Sequence, residues 1–112
     1  MSITNDDTKE VLALNDKLRA QLPYLPSPHR VILTKMAAAL EREALANLFK
    51  KIRDFKDFTI GDDPYGEHDF ISIEVENFTW LMKIDYYDES LEYLDRSSNG
   101  VRVFTIMNSS EY

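Results

Sequence analysis

The sequence predicts an α+β domain: two N-terminal helices packed on a three- to four-stranded antiparallel sheet, a two-layer sandwich over residues 1–112. Three observations carry that expectation. Up to Phe55 the apolar residues recur at spacings of three and four, the period of an amphipathic helix. From Ile71 onward they alternate with polar ones, the period of a strand with one wet face. A length of 112 residues with 44% hydrophobic content suits one domain with a real core.

Asn5 or Asp6 can cap the first helix, with Asp7 and Glu10 near its positive end. Val11, Leu14, Leu18 and Leu22 form its buried stripe, and residues 1–13 are candidates for fraying. Pro23, Pro26 and Pro28 stop the helix and force a turn-rich connection. Arg30 to Thr34 is short and β-branched, a candidate small strand, after which Thr34 can cap a second helix. That helix is expected to run from Met36 to Phe55, with Met36, Leu40, Leu48, Ile52 and Phe55 inward and Ala37–Ala39 raising its propensity.

Asp63-Pro64-Tyr65-Gly66 reads as a turn, since proline presets one φ and glycine accepts angles that other residues avoid. Ile71, Ile73 and Val75 then mark a strand, and Glu76-Asn77 the hairpin turn after it. The next strand puts Phe78, Trp80, Met82, Ile84 and Tyr86 on one face, with Leu81, Lys83, Asp85 and Tyr87 on the other. Leu91 to Leu94 fits either a short strand or a turn of helix. Ser97-Ser98-Asn99-Gly100 is a turn signal, and Val101 to Met107 makes the last strand.

Charge is distributed unevenly. Up to Ile60 there are 8 acids and 10 bases, whereas Gly61 to Asp95 holds 11 acids against Lys83 alone. With the remaining residues the net charge is −7. An acidic half repels nucleic acid, so direct nucleic-acid binding is not expected. The same surface attracts a basic protein patch, including one that normally holds nucleic acid. No apolar run approaches the roughly 20 residues that span a bilayer, and the first residues do not read as a signal peptide. Absence of cysteine removes disulfides, thiol catalysis and cysteine–zinc sites, and fits a cytoplasmic protein.

The acids concentrate in two blocks, Asp62-Asp63-Pro64-Tyr65-Gly66-Glu67-His68-Asp69-Phe70 and Lys83-Ile84-Asp85-Tyr86-Tyr87-Asp88. Together with Leu14-Asn15-Asp16, Val31-Ile32-Leu33-Thr34, Thr105-Ile106-Met107 and Glu111-Tyr112, these blocks resemble one family. It is the proteobacterial domain-of-unknown-function family of small plasmid- and phage-associated proteins marked by a KIDYYD motif. The resemblance runs from about Leu14 to Tyr112 and implies no established activity, cofactor or catalytic residue. This chain departs from the pattern at Ile71, where many relatives carry glycine, and at Asp95 to Gly100, where many carry a longer proline-rich insert.

His68 is the best single catalytic candidate, because Glu67 or Asp69 could orient its imidazole. Residues adjacent on a strand point to opposite faces, however, so a structural histidine is the competing reading. Asp62, Asp63, Glu67, Asp69, Asp85 and Asp88 offer oxygens for Mg²⁺ or Ca²⁺, yet their spacing matches no calcium loop. His29 and His68 are too few for a zinc site without cysteine. With only Gly61, Gly66 and Gly100, the chain has no phosphate-cradling loop. Neither a metal nor a cofactor is expected.

Two functions follow as expectations. The first is a small acidic accessory protein of a mobile element that binds a basic surface of a host or phage protein and inhibits it. A defence nuclease complex is the concrete target, in the anti-CRISPR or anti-restriction sense. Tyr65, Glu67, Asp85, Tyr87, Asp88, Glu92 and Tyr93 are its candidate contacts, and a homodimer is compatible with it. The alternative is a small enzyme, such as a metal-dependent hydrolase, in which His68, Asp69, Lys83 and Asp85 converge. Lys83 alone among the acids also reads simply as one half of an ion pair.

Overall fold

The computed structural model describes residues 5–97 and 99–112, with side chains described from Thr8 onward. Helix α1 (Asn5–Arg19) leads into strand β1 (Arg30–Leu33), a one-turn helix α2 (Lys35–Ala38) and helix α3 (Arg42–Asp54). Strands β2 (Phe70–Val75), β3 (Phe78–Tyr87) and β4 (Val101–Asn108) follow, and a 3₁₀ turn (Ser109–Glu111) closes the chain. The architecture is α+β, as the periodicities predict. The expected Asn5, Asp6 and Asp7 capping contacts, and the Ser98 part of the last turn, lie outside the described residues.

α1 buries Val11 and Leu18, and Leu22 just beyond it is buried too. The helix begins at Asn5, and Val11 within it is 3% exposed. The expected single helix from Met36 to Phe55 is instead two. Glu41 adopts extended angles (φ −62°, ψ 156°), which interrupts the helix between Ala38 and Arg42. High alanine propensity loses here to tertiary ties. The start of α2 is bound to the end of β4, while the stripe on α3 buries Leu48, Phe49 and Ile52. Met36 consequently remains 41% exposed.

The sheet has the order β1-β4-β3-β2, and it is mixed, not antiparallel. β2–β3 and β3–β4 are antiparallel, but β1 runs parallel to β4. Parallel neighbours need a long crossover, and here the helices and the β2–β3 hairpin supply it. Register places Val31 beside Phe104, Leu33 beside Ile106, Met82 beside Ile106 and Ile71 beside Met82. One face of the sheet therefore carries Ile71, Trp80, Met82, Ile84, Tyr86, Phe104 and Ile106. These join Val11, Leu18, Leu48, Phe49 and Ile52 in a single buried cluster.

Turns match their sequence signals. Glu76 and Asn77 both take positive φ (54° and 72°), the pair of left-handed residues that a two-residue hairpin turn requires. Gly66 also has positive φ (68°), and its N–H donates to the Asp63 carbonyl. Leu91 to Leu94 is neither strand nor helix but a loop held by Asp88.

Candidate functional site

The two acidic blocks meet at a buried polar network beneath α1. Its centre is Asn15, fully buried on the same stripe as Val11 and Leu18. The Asn15 Nδ2 donates to the Glu67 carbonyl (3.0 Å) and to the Tyr86 hydroxyl (2.9 Å). Its Oδ1 accepts from Arg102 Nε at 3.3 Å. One side chain on a helix thus holds a loop and two strands, and three of its four hydrogen-bonding positions are filled.

Tyr86 reaches this point because it lies on the inward face of β3, two residues beyond Ile84. Its hydroxyl donates to Asp69 Oδ2 at 3.0 Å. Burial first, and then the adjacent Asp69 carboxylate, push the phenol well above its ordinary range. In this arrangement the Tyr86 hydroxyl serves as a donor to Asp69. The guanidinium carbons of Arg96 and Arg102 lie 4.9 Å and 4.6 Å from its ring centroid.

Arg102 is fully buried, and among the described residues no carboxylate forms an ion pair with it. The carbonyls of Ser97 (2.7 Å) and Arg96 (2.8 Å), with a longer contact to that of Asp95, accept from its guanidinium. The segment from Asp95 to Gly100 wraps around the cation. Gly100 permits that wrap, since a Cβ there would sit 2.1 Å from the Asp95 carbonyl oxygen. Beside it, Arg96 forms an ion pair with Glu67, whose side chain is 2% exposed.

His68 sits at the rim in a left-handed conformation (φ 56°). Neither Glu67 nor Asp69 orients its ring. Asp16 Oδ1 lies 2.9 Å from Nδ1 and Asp63 Oδ2 lies 3.6 Å from Nε2. The ring also stacks on Phe58, with centroids 3.7 Å apart and planes 4° from parallel. Asp63 further accepts the backbone N–H groups of Glu67 and His68 through Oδ1. Arg19, one turn from Asn15 on α1, donates to the carbonyls of Ile52, Arg53 and Phe55. These groups cap the end of α3 with a cation, where the helix dipole favours one.

The proposed convergence of His68, Asp69, Lys83 and Asp85 does not occur. Asp69 reaches Tyr86 on the inward face of β3, whereas Lys83 and Asp85 alternate to the outward face. There they pair with each other, Lys83 Nζ to Asp85 Oδ2 at 3.4 Å. Among the described residues no three His, Asp or Glu side chains gather as a metal site would need. The carboxylates of Asp63, Glu67, Asp69, Asp85 and Asp88 are each occupied by protein donors.

The candidate contact residues are scattered in exposure. Tyr65 (78%) and Tyr93 (68%) stand in solvent, Glu92 is exposed, and Asp85 and Tyr87 are half-buried. Glu67 is 1% exposed and committed to Arg96, so it has no surface to offer a partner. Asp88 builds its own loop: its Oδ1 accepts from Ser90 Oγ, Glu92 N and Tyr93 N. These bonds hold its carboxyl below the ordinary aspartate value, led by that from Ser90.

Sequence reasoning passed over Asn15, Arg96 and Arg102 as network members. Two of them carried a signal. Asn15 interrupts the apolar stripe of α1, and Arg102 shares strand parity with Phe104 and Ile106. A polar residue on a core face implies a buried partner.

Comparison with known proteins gives one positive result. Residues 33–111 match the family model described as "Protein of unknown function (DUF3768)". No curated protein matches the chain, and no solved structure does.

Proposed function

We propose, from the premise that this chain belongs to the DUF3768 family of proteins of unknown function, that it is a small acidic binding protein. In this reading it docks on a basic surface of a host protein and inhibits it. The concrete target is a defence nuclease complex, and the gene is an accessory of a phage or plasmid in a proteobacterial setting. The KIDYYD resemblance supplies that context, and the lack of cysteine fits a cytoplasmic setting. Helices covering one face of the sheet, as a two-layer sandwich, would leave the outward side and the loops free for contact.

The observation that carries the reading is the loop after β3. Asp88 holds it closed from within, also donating its own N–H to the Tyr93 carbonyl (2.7 Å). Leu91 is bent into positive φ (62°). The loop thereby presents Tyr93 and Leu94, 68% and 73% exposed, beside the exposed acids Glu89 and Glu92. A preformed aromatic and aliphatic pair ringed by acids suits a basic surface, and its order is established before binding.

The test is capture from host lysate with the full chain and with a Glu89→Lys, Glu92→Lys, Tyr93→Ala variant. The reading expects the wild type to retain a stoichiometric nucleic-acid-handling partner that high salt releases, because ions screen exposed charge pairing. The variant should retain none. Equal capture by both proteins would remove this loop from the interface.

A further inference from the structure

We infer a small-molecule site, independent of that loop, in a cavity of about 350 Å³ between the α2–α3 break and the β2–β3 hairpin. The ligand class is an uncharged compound with a compact apolar or aromatic body and one hydrogen-bond acceptor, such as a ketone, ester or amide carbonyl.

The cavity exists because the helix breaks. Met36 and Leu40 from the α2 side and Ala44 and Leu48 from α3 form one wall. Val75, Phe78 and Trp80 from the hairpin form the other. Its volume lies at the lower end of the range for small-molecule pockets, which are mostly apolar with a few placed polar groups.

Of the polar residues that line it, Asn47 and Glu76 are exposed and Asn108 is buried. Asn108 lines the cavity, is 5% exposed, and stands opposite Trp80 in the β3–β4 register. Its Oδ1 accepts from the Ser110 backbone N–H (3.0 Å) and from Ser110 Oγ (2.8 Å). A backbone N–H can only donate, so the oxygen of the amide is identified and the other atom is nitrogen. That nitrogen, Nδ2, is buried and has no hydrogen-bond partner among the described residues. A buried donor left unsatisfied is costly, and an acceptor delivered by a ligand removes the cost.

Charge selects among acceptors. Among the described residues no lysine, arginine or histidine lines the cavity, while Glu76 does. A carboxylate or phosphate would enter without a cation to meet it and beside a like charge. A plain hydrocarbon would fill the apolar walls but leave Nδ2 unpaired. A neutral carbonyl compound satisfies both constraints.

The experiment is an NMR titration of the ¹⁵N-labelled full chain with acetophenone, ethylbenzene and benzoate, three probes of similar size. Acetophenone should move the Asn108 side-chain amide and the Trp80 indole signals together. Ethylbenzene should bind about fivefold more weakly, the worth of one hydrogen bond, and benzoate more weakly still. Asn108→Asp keeps the oxygen that caps the 3₁₀ turn but deletes the donor, so the preference for acetophenone over ethylbenzene should vanish. Ala44→Phe, which fills the cavity from the α3 wall and leaves the Asn108 side chain chemically unchanged, should abolish binding of all three while the spectrum stays dispersed. The proposal is overturned if no probe moves these signals, if all three move them equally, or if Asn108→Asp retains the preference.

Discussion

The Asn15 amide donates to the Tyr86 hydroxyl at 2.9 Å across a separation of 71 residues, and that hydroxyl donates onward to Asp69 at 3.0 Å. The relay ties α1 to β3 and to the loop before β2. Tyr86→Phe leaves the ring and its apolar packing but strips both Asn15 and Asp69 of a partner. The expected loss is about 1–3 kcal/mol in urea denaturation. Combined with Asn15→Leu, the loss should be smaller than the two single effects added, because the pair acts as a unit. Strict additivity would show that the two side chains are not energetically linked.

Gly100 is constrained by space. A methyl group at this position meets the Asp95 carbonyl oxygen at 2.1 Å and Arg102 Nη1 at 2.7 Å. Backbone cannot yield as a flexible side chain does, so Gly100→Ala should push the 95–100 segment off the Arg102 guanidinium. We expect destabilisation of about 1–3 kcal/mol, the usual range for overpacking. An unchanged denaturation midpoint would contradict the tight wrap around Arg102.

His29 predicts a pH dependence. Its Nδ1 accepts the Arg102 backbone N–H at 3.0 Å, which requires a neutral ring. Burial, followed by the charge of Arg102, lowers its pKa below 6.5. The unfolded chain therefore binds the proton more readily, and stability declines as the pH falls from 6.5 toward the folded value. His29→Gln should flatten that part of the stability profile. A profile as steep as that of the wild type would assign the titration to another group.

Glu111 predicts a second, more acidic dependence. Its Oε1 accepts the Thr34 hydroxyl (2.6 Å), and its Oε2 accepts the Met36 N–H at the start of α2 (3.0 Å). Desolvation favours the neutral acid, but the hydrogen bonds from Thr34, Met36 and Asn108 outweigh it and lower the pKa from 4.5. The stabilisation is present above 4.5 and is lost as the pH falls through the folded value. Glu111→Ala should accelerate hydrogen exchange at the Met36 amide. Unaltered protection there would show that α2 does not depend on this cap.

Local signals were legible wherever neighbours in sequence decide the outcome. The positive φ angles at Glu76 and Asn77, the Asp63–Gly66 turn and the inward parity of Trp80, Met82, Ile84 and Tyr86 all follow from short-range geometry. The site was only partly legible. Acidic blocks marked the region where the buried polar network forms, and the Lys83–Asp85 pair lies where alternation put it. The partners of His68 were not readable, because Asp16 approaches from α1, 52 residues away.

By itself, the sequence determined the element types, the turns, the core face of each strand and the acidic character of the second half, since these depend on residue period, φ preference and charge alone. Tertiary structure alone decided which strands become neighbours, where the second helix breaks and which carboxylates are spent. β1 presents the same apolar face to a parallel or an antiparallel partner, so only the crossover through the helices and hairpin seats it beside β4. The alanine-rich run favours one continuous helix, and a carboxylate 75 residues away fixes where α2 begins. Whether an acid contacts a partner or holds the fold together depends on which donors packing brings to it. Glu67 and Tyr93, both expected at the surface, differ in burial: Glu67 is 1% exposed and Tyr93 68%.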